Sequence, residues 1–144
     1  MSLRNSLLAA VLTELQAMSS IESAHVYRSR VAAFAKDEFP AVVLSPVSDQ
    51  PSRTNHAKFD WRFTFVVQVG VRAAQDEIPD AVADEIMVEV HNKIMNSATI
   101  DGLVIDRMPS RTAWQMDDAD MSLCWASQQF EFTYRTSQAD IATA

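Results

Sequence analysis

Between Lys58 and Arg72 the chain alternates: Phe59, Trp61, Phe63, Phe65, Val67, Val69 and Val71 occupy odd positions, while Lys58, Asp60, Arg62, Thr64, Gln68 and Arg72 stand among the even ones. Successive side chains of extended backbone point to opposite sides, so a period of two predicts a long strand with one buried face. Such a strand needs neighbours on its edges and an apolar layer over its inner face. The remaining sequence is read for both.

Leu3, Leu7, Leu8, Val11, Leu12, Leu15 and Met18 recur at spacings of three and four, which predicts an amphipathic helix from about Ser2 to Met18 with Ser2 as its N-cap. A second helix is predicted to start in Asp76-Glu77-Ile78-Pro79-Asp80, because proline and acidic side chains suit a first turn. It runs to about Met95 with Val82, Ile86, Val90 and Ile94 as its stripe. Short strands are expected at Ala24 to Arg28 and at Ala41 to Leu44, the latter between Pro40 and Pro46. Another should begin at Leu103-Val104-Ile105 after the Asp101-Gly102 turn, with Pro109 at an edge or bulge. The last strand ends near Arg135. Its apolar residues are odd-numbered at Met121, Leu123 and Trp125 but even-numbered at Phe130, Phe132 and Tyr134, which predicts a β-bulge or a change of packing environment near Ala126 to Gln129.

Val47 to Ala57 and Arg111 to Asp120 read as long polar loops, the second ending in an acidic turn over Met116 to Asp120, and Arg30 to Glu38 reads as a charged connection. The fold class expected is α+β: a mixed, largely antiparallel β-sheet flanked by two main α-helices, in a single domain over residues 1–136. Residues 137–144 are small and polar and read as a flexible tail.

Composition narrows the chemistry. The 144 residues carry 12 Lys+Arg against 19 Asp+Glu, a net charge of −7, and 48% are hydrophobic. That length supports a core without staples. The acidic balance argues against general or sequence-specific nucleic-acid binding, which rests on clustered basic side chains. Only two glycines occur, Gly70 and Gly102, so the dinucleotide fingerprint, the P-loop and the Gly-x-Ser-x-Gly elbow cannot be written. The single cysteine, Cys124, allows no intramolecular disulfide and sits between Leu123 and Trp125, where it reads as a small buried hydrophobe in an intracellular protein. A calcium-loop register started at Asp118 puts Leu123 where glycine is required and Gln129 where the bidentate glutamate belongs. His25, His56 and His91 form no metal-ligand spacing. No cofactor, metal or catalytic residue is expected. The apolar run from Leu7 to Leu12 is too short for a secretory signal or a membrane span. Trp114 lies in the polar stretch Arg111-Thr112-Ala113-Trp114-Gln115 and reads as a partly exposed interface anchor.

The order of these pieces resembles the tail terminator, or tail-completion, family of long-tailed bacteriophages over roughly residues 3–136. The resemblance is carried by the opening helix, by Arg28-Ser29-Arg30 followed by Phe39-Pro40-Ala41-Val42-Val43-Leu44, and by the alternating strand from Lys58. The helix introduced by Ile78-Pro79-Asp80 and the closing Phe130-Glu131-Phe132-Thr133-Tyr134-Arg135-Thr136 complete it. It implies a structural, non-enzymatic protein of a phage or prophage that forms a hexameric ring at the head-proximal end of the tail tube. Such a ring stops tube growth and offers the joining surface for the head. The implied partners are other copies of the chain, the tail-tube protein and a head-completion or connector protein. The implied location is the virion tail, reached from the host cytoplasm, with DNA passing through an acidic lumen. The candidate contact residues are Arg28, Arg30, Arg53, His56, Arg111, Trp114, Asp117 and Asp118. The competing expectations are another phage neck or baseplate component, and a ligand-binding or catalytic α+β domain whose pocket the sequence does not reveal.

Overall fold

The computed structural model describes residues 1–117 and 122–144. In chain order the elements are α1 (Leu3–Gln16), β1 (Val26–Arg28), β2 (Ala41–Arg53), β3 (Lys58–Arg72), α2 (Pro79–Met95), α3 (Ala98–Asp101), β4 (Asp106–Met116) and β5 (Leu123–Ser137). One-turn 3₁₀ segments lie at Ser23–His25 and Lys36–Glu38. The five strands form one sheet in the order β1-β2-β3-β5-β4, with β1 parallel to β2 and every other pair antiparallel. This is the expected α+β arrangement.

The alternating segment is the centre of the sheet. β3 pairs with β5 in continuous register from Lys58↔Ser137 to Arg72↔Leu123. Phe63, Phe65, Val67, Val69 and Val71 of β3 therefore share a face with Cys124, Ala126, Phe130 and Phe132 of β5, and all are buried. Against this face pack Leu7, Leu8, Val11 and Leu15 of α1 and Ala83, Ile86, Val90 and Ile94 of α2. The helix starts follow the sequence. The Ser2 hydroxyl accepts a hydrogen bond from the Asn5 amide at 3.3 Å, and Pro79 occupies the first turn of α2.

Two expectations about loops are corrected. Residues 47–53 continue β2, and the turn is confined to residues 54–57, where the Asn55 side-chain oxygen accepts from the Ala57 and Lys58 amides at 2.8 and 2.9 Å. Residues 111–116 likewise belong to β4, while Asp118 and Asp120 of the expected acidic turn lie outside the described residues. Both stretches are polar because they run along sheet edges. β1 pairs only with Val42 to Leu44, so beyond that point one side of β2 is unpaired, and Pro46 and Pro51 are tolerated there. Leu103-Val104-Ile105 precedes β4 rather than starting it, although the Ile105 amide already bonds to the Thr133 carbonyl at 2.7 Å.

The change of face expected in β5 has a different origin from a bulge in that strand. β5 keeps its even residues on the helix side throughout, and the register shift lies in its neighbour β4, between Pro109 and Arg111. Leu123 and Trp125 are apolar because the opposite face of the sheet is covered at that end by residues 29–39. The Trp125 ring lies 5.3 Å from Phe34 and 5.8 Å from Phe39, so there are indeed two packing environments.

A second register shift, between Pro46 and Ser48 of β2, pushes Val47 out to solvent and turns Asp49 inward. The Asp49 side chain, 7% exposed, accepts hydrogen bonds from Arg4 of α1 at 2.9 Å and from the Tyr134 hydroxyl. Burial pushes the Asp49 carboxyl above its ordinary range against the opposing pull of Tyr134 and Arg4. Trp61 stacks on Tyr134 at 6.2 Å and donates its indole N–H to Thr136 at 2.9 Å. This polar cluster ties the start of α1 to the far end of the sheet. There the C-terminal residues fold back, with Ile141 accepting from the Leu3 amide at 3.0 Å and Gln138 donating to Ala57 at 2.8 Å.

Gly70 is required by Trp125. A Cβ at position 70 would stand 2.7 Å from the indole ring that crosses it. Gly70→Ala is therefore expected to destabilise the fold by about 1–3 kcal/mol, the usual cost of overpacking, measured by urea denaturation. Gly102→Ala meets nothing closer than 3.7 Å and serves as the control with a smaller effect.

Candidate assembly surface

The candidate residues separate into distinct places. Arg28 ends β1 at one edge of the sheet, exposed, with its guanidinium donating to the Asn5 side chain. Arg53 and His56 lie at the β2–β3 turn, where the Arg53 guanidinium sits 5.3 Å over the Phe59 ring. Arg28 is level with Leu44, and Arg53 lies nine residues further along β2, about 30 Å away at the rise of extended backbone. Arg111 and Trp114 belong to β4 at the opposite edge, and the register puts them on opposite faces: Arg111 is level with Gln129 and Trp114 with Ala126. Asp117 follows β4, its amide bonded to the Leu123 carbonyl at 3.2 Å. Asp118 lies outside the described residues.

Arg30 turns inward. Its guanidinium lies 4.6 Å over the Tyr27 ring and 4.1 Å over the Phe34 ring, pairs with Glu38, and donates to the Ala33 carbonyl at 2.8 Å. The Arg30 guanidinium, joined by the Ala35 amide, holds the Glu38 carboxyl down at about 2. These contacts fix residues 29–39 as a flap over Trp125. Between this flap and β4 lies a cavity of about 710 Å³, lined by Arg30, Phe34, Gln68, Gln115, Asp117 and Trp125. Its one arginine is already committed to Glu38.

Two surface clefts flank the sheet. At the β1/β2 edge, Arg4, Asn5 and Leu8 of α1 meet Arg28, Pro46 and Phe63 around a space of about 430 Å³. No acidic side chain stands in the first turn of α1, so its amide end adds to the positive character of this cleft. At the β4 edge, Asp84, Val88 and Asn92 of α2 face Thr112 and Trp114 around about 300 Å³. Asp80 and Asp84, four residues apart, lie on one ridge of α2. Arg107 does not join this surface. It is half-buried and donates to the Ile94 and Ser97 carbonyls at 3.2 and 2.9 Å, closing the end of α2.

Arg4, Asp84 and Val88 line these clefts, and the sequence pattern does not mark them as contact residues. Arg4 and Asp84 are polar positions of helices whose sequence signal is the apolar stripe. Val47 is exposed only because of the β2 bulge. The Cys124 thiol is buried and pushed up by that burial, as expected of a packing residue. His91 sits on the surface of α2, 6.4 Å from the Phe130 ring.

No family model matches the chain, and no curated sequence matches it. Solved structures do. A chain described as "Virion of native gene transfer agent (GTA) particle" superposes with a TM-score of 0.57 at 14% identity, covering 89% of this chain and 93% of that one. The fold is shared with a virion chain. The likeness covers most of both molecules, so it concerns the fold as a whole and not one local motif. Among the described residues no helix is long and apolar enough to cross a membrane.

The flap gives a pH prediction. Glu38 has its carboxyl lowered from 4.5 to about 2 on folding, so its contribution to stability is complete above pH 4.5 and is lost as pH falls toward 2. In a Trp61→Phe, Trp114→Phe background, acrylamide quenching of Trp125 should be stronger in Glu38→Gln than in its parent at pH 7. That gap should close as pH approaches 2. Equal quenching at pH 7 would show that Glu38 does not hold the flap.

Proposed function

We propose that this chain is a structural, non-enzymatic subunit of a phage or phage-like virion. It assembles as a ring, with six copies the expected number, at the head-proximal end of the tail tube, stops tube growth and provides the surface to which the head joins. The observation that carries this reading is the end-to-end likeness in fold to a chain of a gene transfer agent virion. The finer role is supported by the resemblance in order of elements to tail terminators, carried by α1, the long β3 and the helix that Pro79 opens. The two sheet edges also suit it, because they present different chemistry and ring closure needs two different patches on each subunit. The partners under this reading are further copies of the chain, the tail-tube protein and a head-completion or connector protein. The protein ends in the tail of the virion after assembly in the host cytoplasm, and DNA passes through the ring without being gripped.

The reading is tested by deleting the gene from the particle's genome and imaging lysates by electron microscopy. Tails of uncontrolled length, without heads, are expected, together with filled heads that carry no tail. Normal-length tails without heads would assign the chain to another neck component. A normal yield of complete particles would remove it from the tail altogether.

A further inference from the structure

The two edge clefts are complementary to each other. On the β4 side, Trp114 is 54% exposed and Val88 53%, beside the acidic ridge of Asp80 and Asp84. Across the molecule, Leu8, Pro46 and Phe63 line an open hollow together with Arg4 and Arg28. Arg28 has no carboxylate partner among the described residues and keeps guanidinium donors free beyond its bond to Asn5. One surface therefore offers an indole and carboxylates, and the other an open hollow of about 430 Å³ lined by apolar side chains and two arginines. A buried indole against an arginine is a frequent anchor of protein interfaces.

We infer that a second copy of this chain docks head to tail, with Trp114 of one copy seated in the Leu8–Pro46–Phe63 hollow of the next and Asp84 meeting its Arg28. The contact is made by side chains, because Pro46, Pro51 and Pro109 and the two bulges prevent the edge strands from zipping together. The two surfaces occupy opposite edges of the five-stranded sheet, so the contact is head to tail, and it closes a ring when the rotation between successive copies divides a full turn. The inference rests on the ring reading above and specifies its subunit interface.

Two sets of variants separate the surfaces. Arg28→Asp alters only the hollow, and Asp84→Arg with Trp114→Ser alters only the anchor. All three positions are exposed, and Pro46→Asp, at an exposed residue that lines the hollow, provides a second variant of that surface. By sedimentation velocity the wild type should assemble, while each variant alone should associate at least ten-fold more weakly. Mixing the Arg28→Asp chain with a Trp114→Ser chain that keeps Asp84 should yield a one-to-one heterodimer, since each supplies the surface the other lacks and the two leftover surfaces are both acidic. Combining Arg28→Asp with Asp84→Arg in one chain should recover part of the assembly. Wild-type rings that persist in every variant, or mixtures that form no heterodimer, would overturn this interface and leave the ring standing. A wild type that stays monomeric at all concentrations would overturn both.

Discussion

The pairing of β3 with β5 governs the rest of the molecule. The two strands run beside each other without a register break, and their shared apolar face is the floor on which α1 and α2 lie. Aromatic contacts lock the register: Phe65 meets Phe132 edge-on at 4.8 Å and stacks with Phe130 at 5.6 Å. A slip of one residue would turn that entire set away from the helices, so the central pair has one permitted alignment. Irregularity is confined to the strands outside it. The polar face carries its own ties, with Arg135 on Asp60 at 2.7 Å and Arg62 on Glu131 at 3.2 Å, although such exposed pairs contribute little.

The bulges of β2 and β4 create what the regular centre cannot. In β2 the extra residue, Val47, is expelled to the surface while Asp49 is turned under α1 to meet Arg4 and Tyr134. In β4 the shift moves the side chains facing α2 from Arg107 and Pro109 to Thr112 and Trp114. One end of that strand thus secures the end of α2, and the other presents an exposed indole beside it. A regular strand could not do both. The two edges differ in chemistry, one with Arg4 and Arg28 beside an apolar hollow and the other with Asp84 beside Trp114.

Much of this arrangement was legible in the sequence. The β3 span agrees with its alternation, Ser2 caps α1, and Pro79 opens α2, because each signal is local and its cause lies within a few residues. The extensions of β2 and β4 were not legible. Their prolines and polar side chains describe a loop until the neighbouring strand is known, and whether a strand lies at a sheet edge is a property of topology. The shift from odd to even in β5 was visible, but its cause was the flap over Trp125, which lies far from β5 in the sequence. Of the candidate contact residues, Trp114 stands exposed as its polar surroundings suggested, whereas Arg30 is taken up by Tyr27, Phe34 and Glu38. The pairing of Arg28 with an apolar hollow required α1 to be folded over the sheet edge.

The central claim is that this chain closes on itself as a ring. The most direct measurement is solution mass by multi-angle light scattering across a wide concentration range, with negative-stain images of the same fractions. The account predicts a discrete species of about six subunits that appears in the images as closed rings, the outcome of head-to-tail contacts that rotate by a fixed angle. A strict monomer, a two-fold dimer, or open filaments of indefinite length would contradict it.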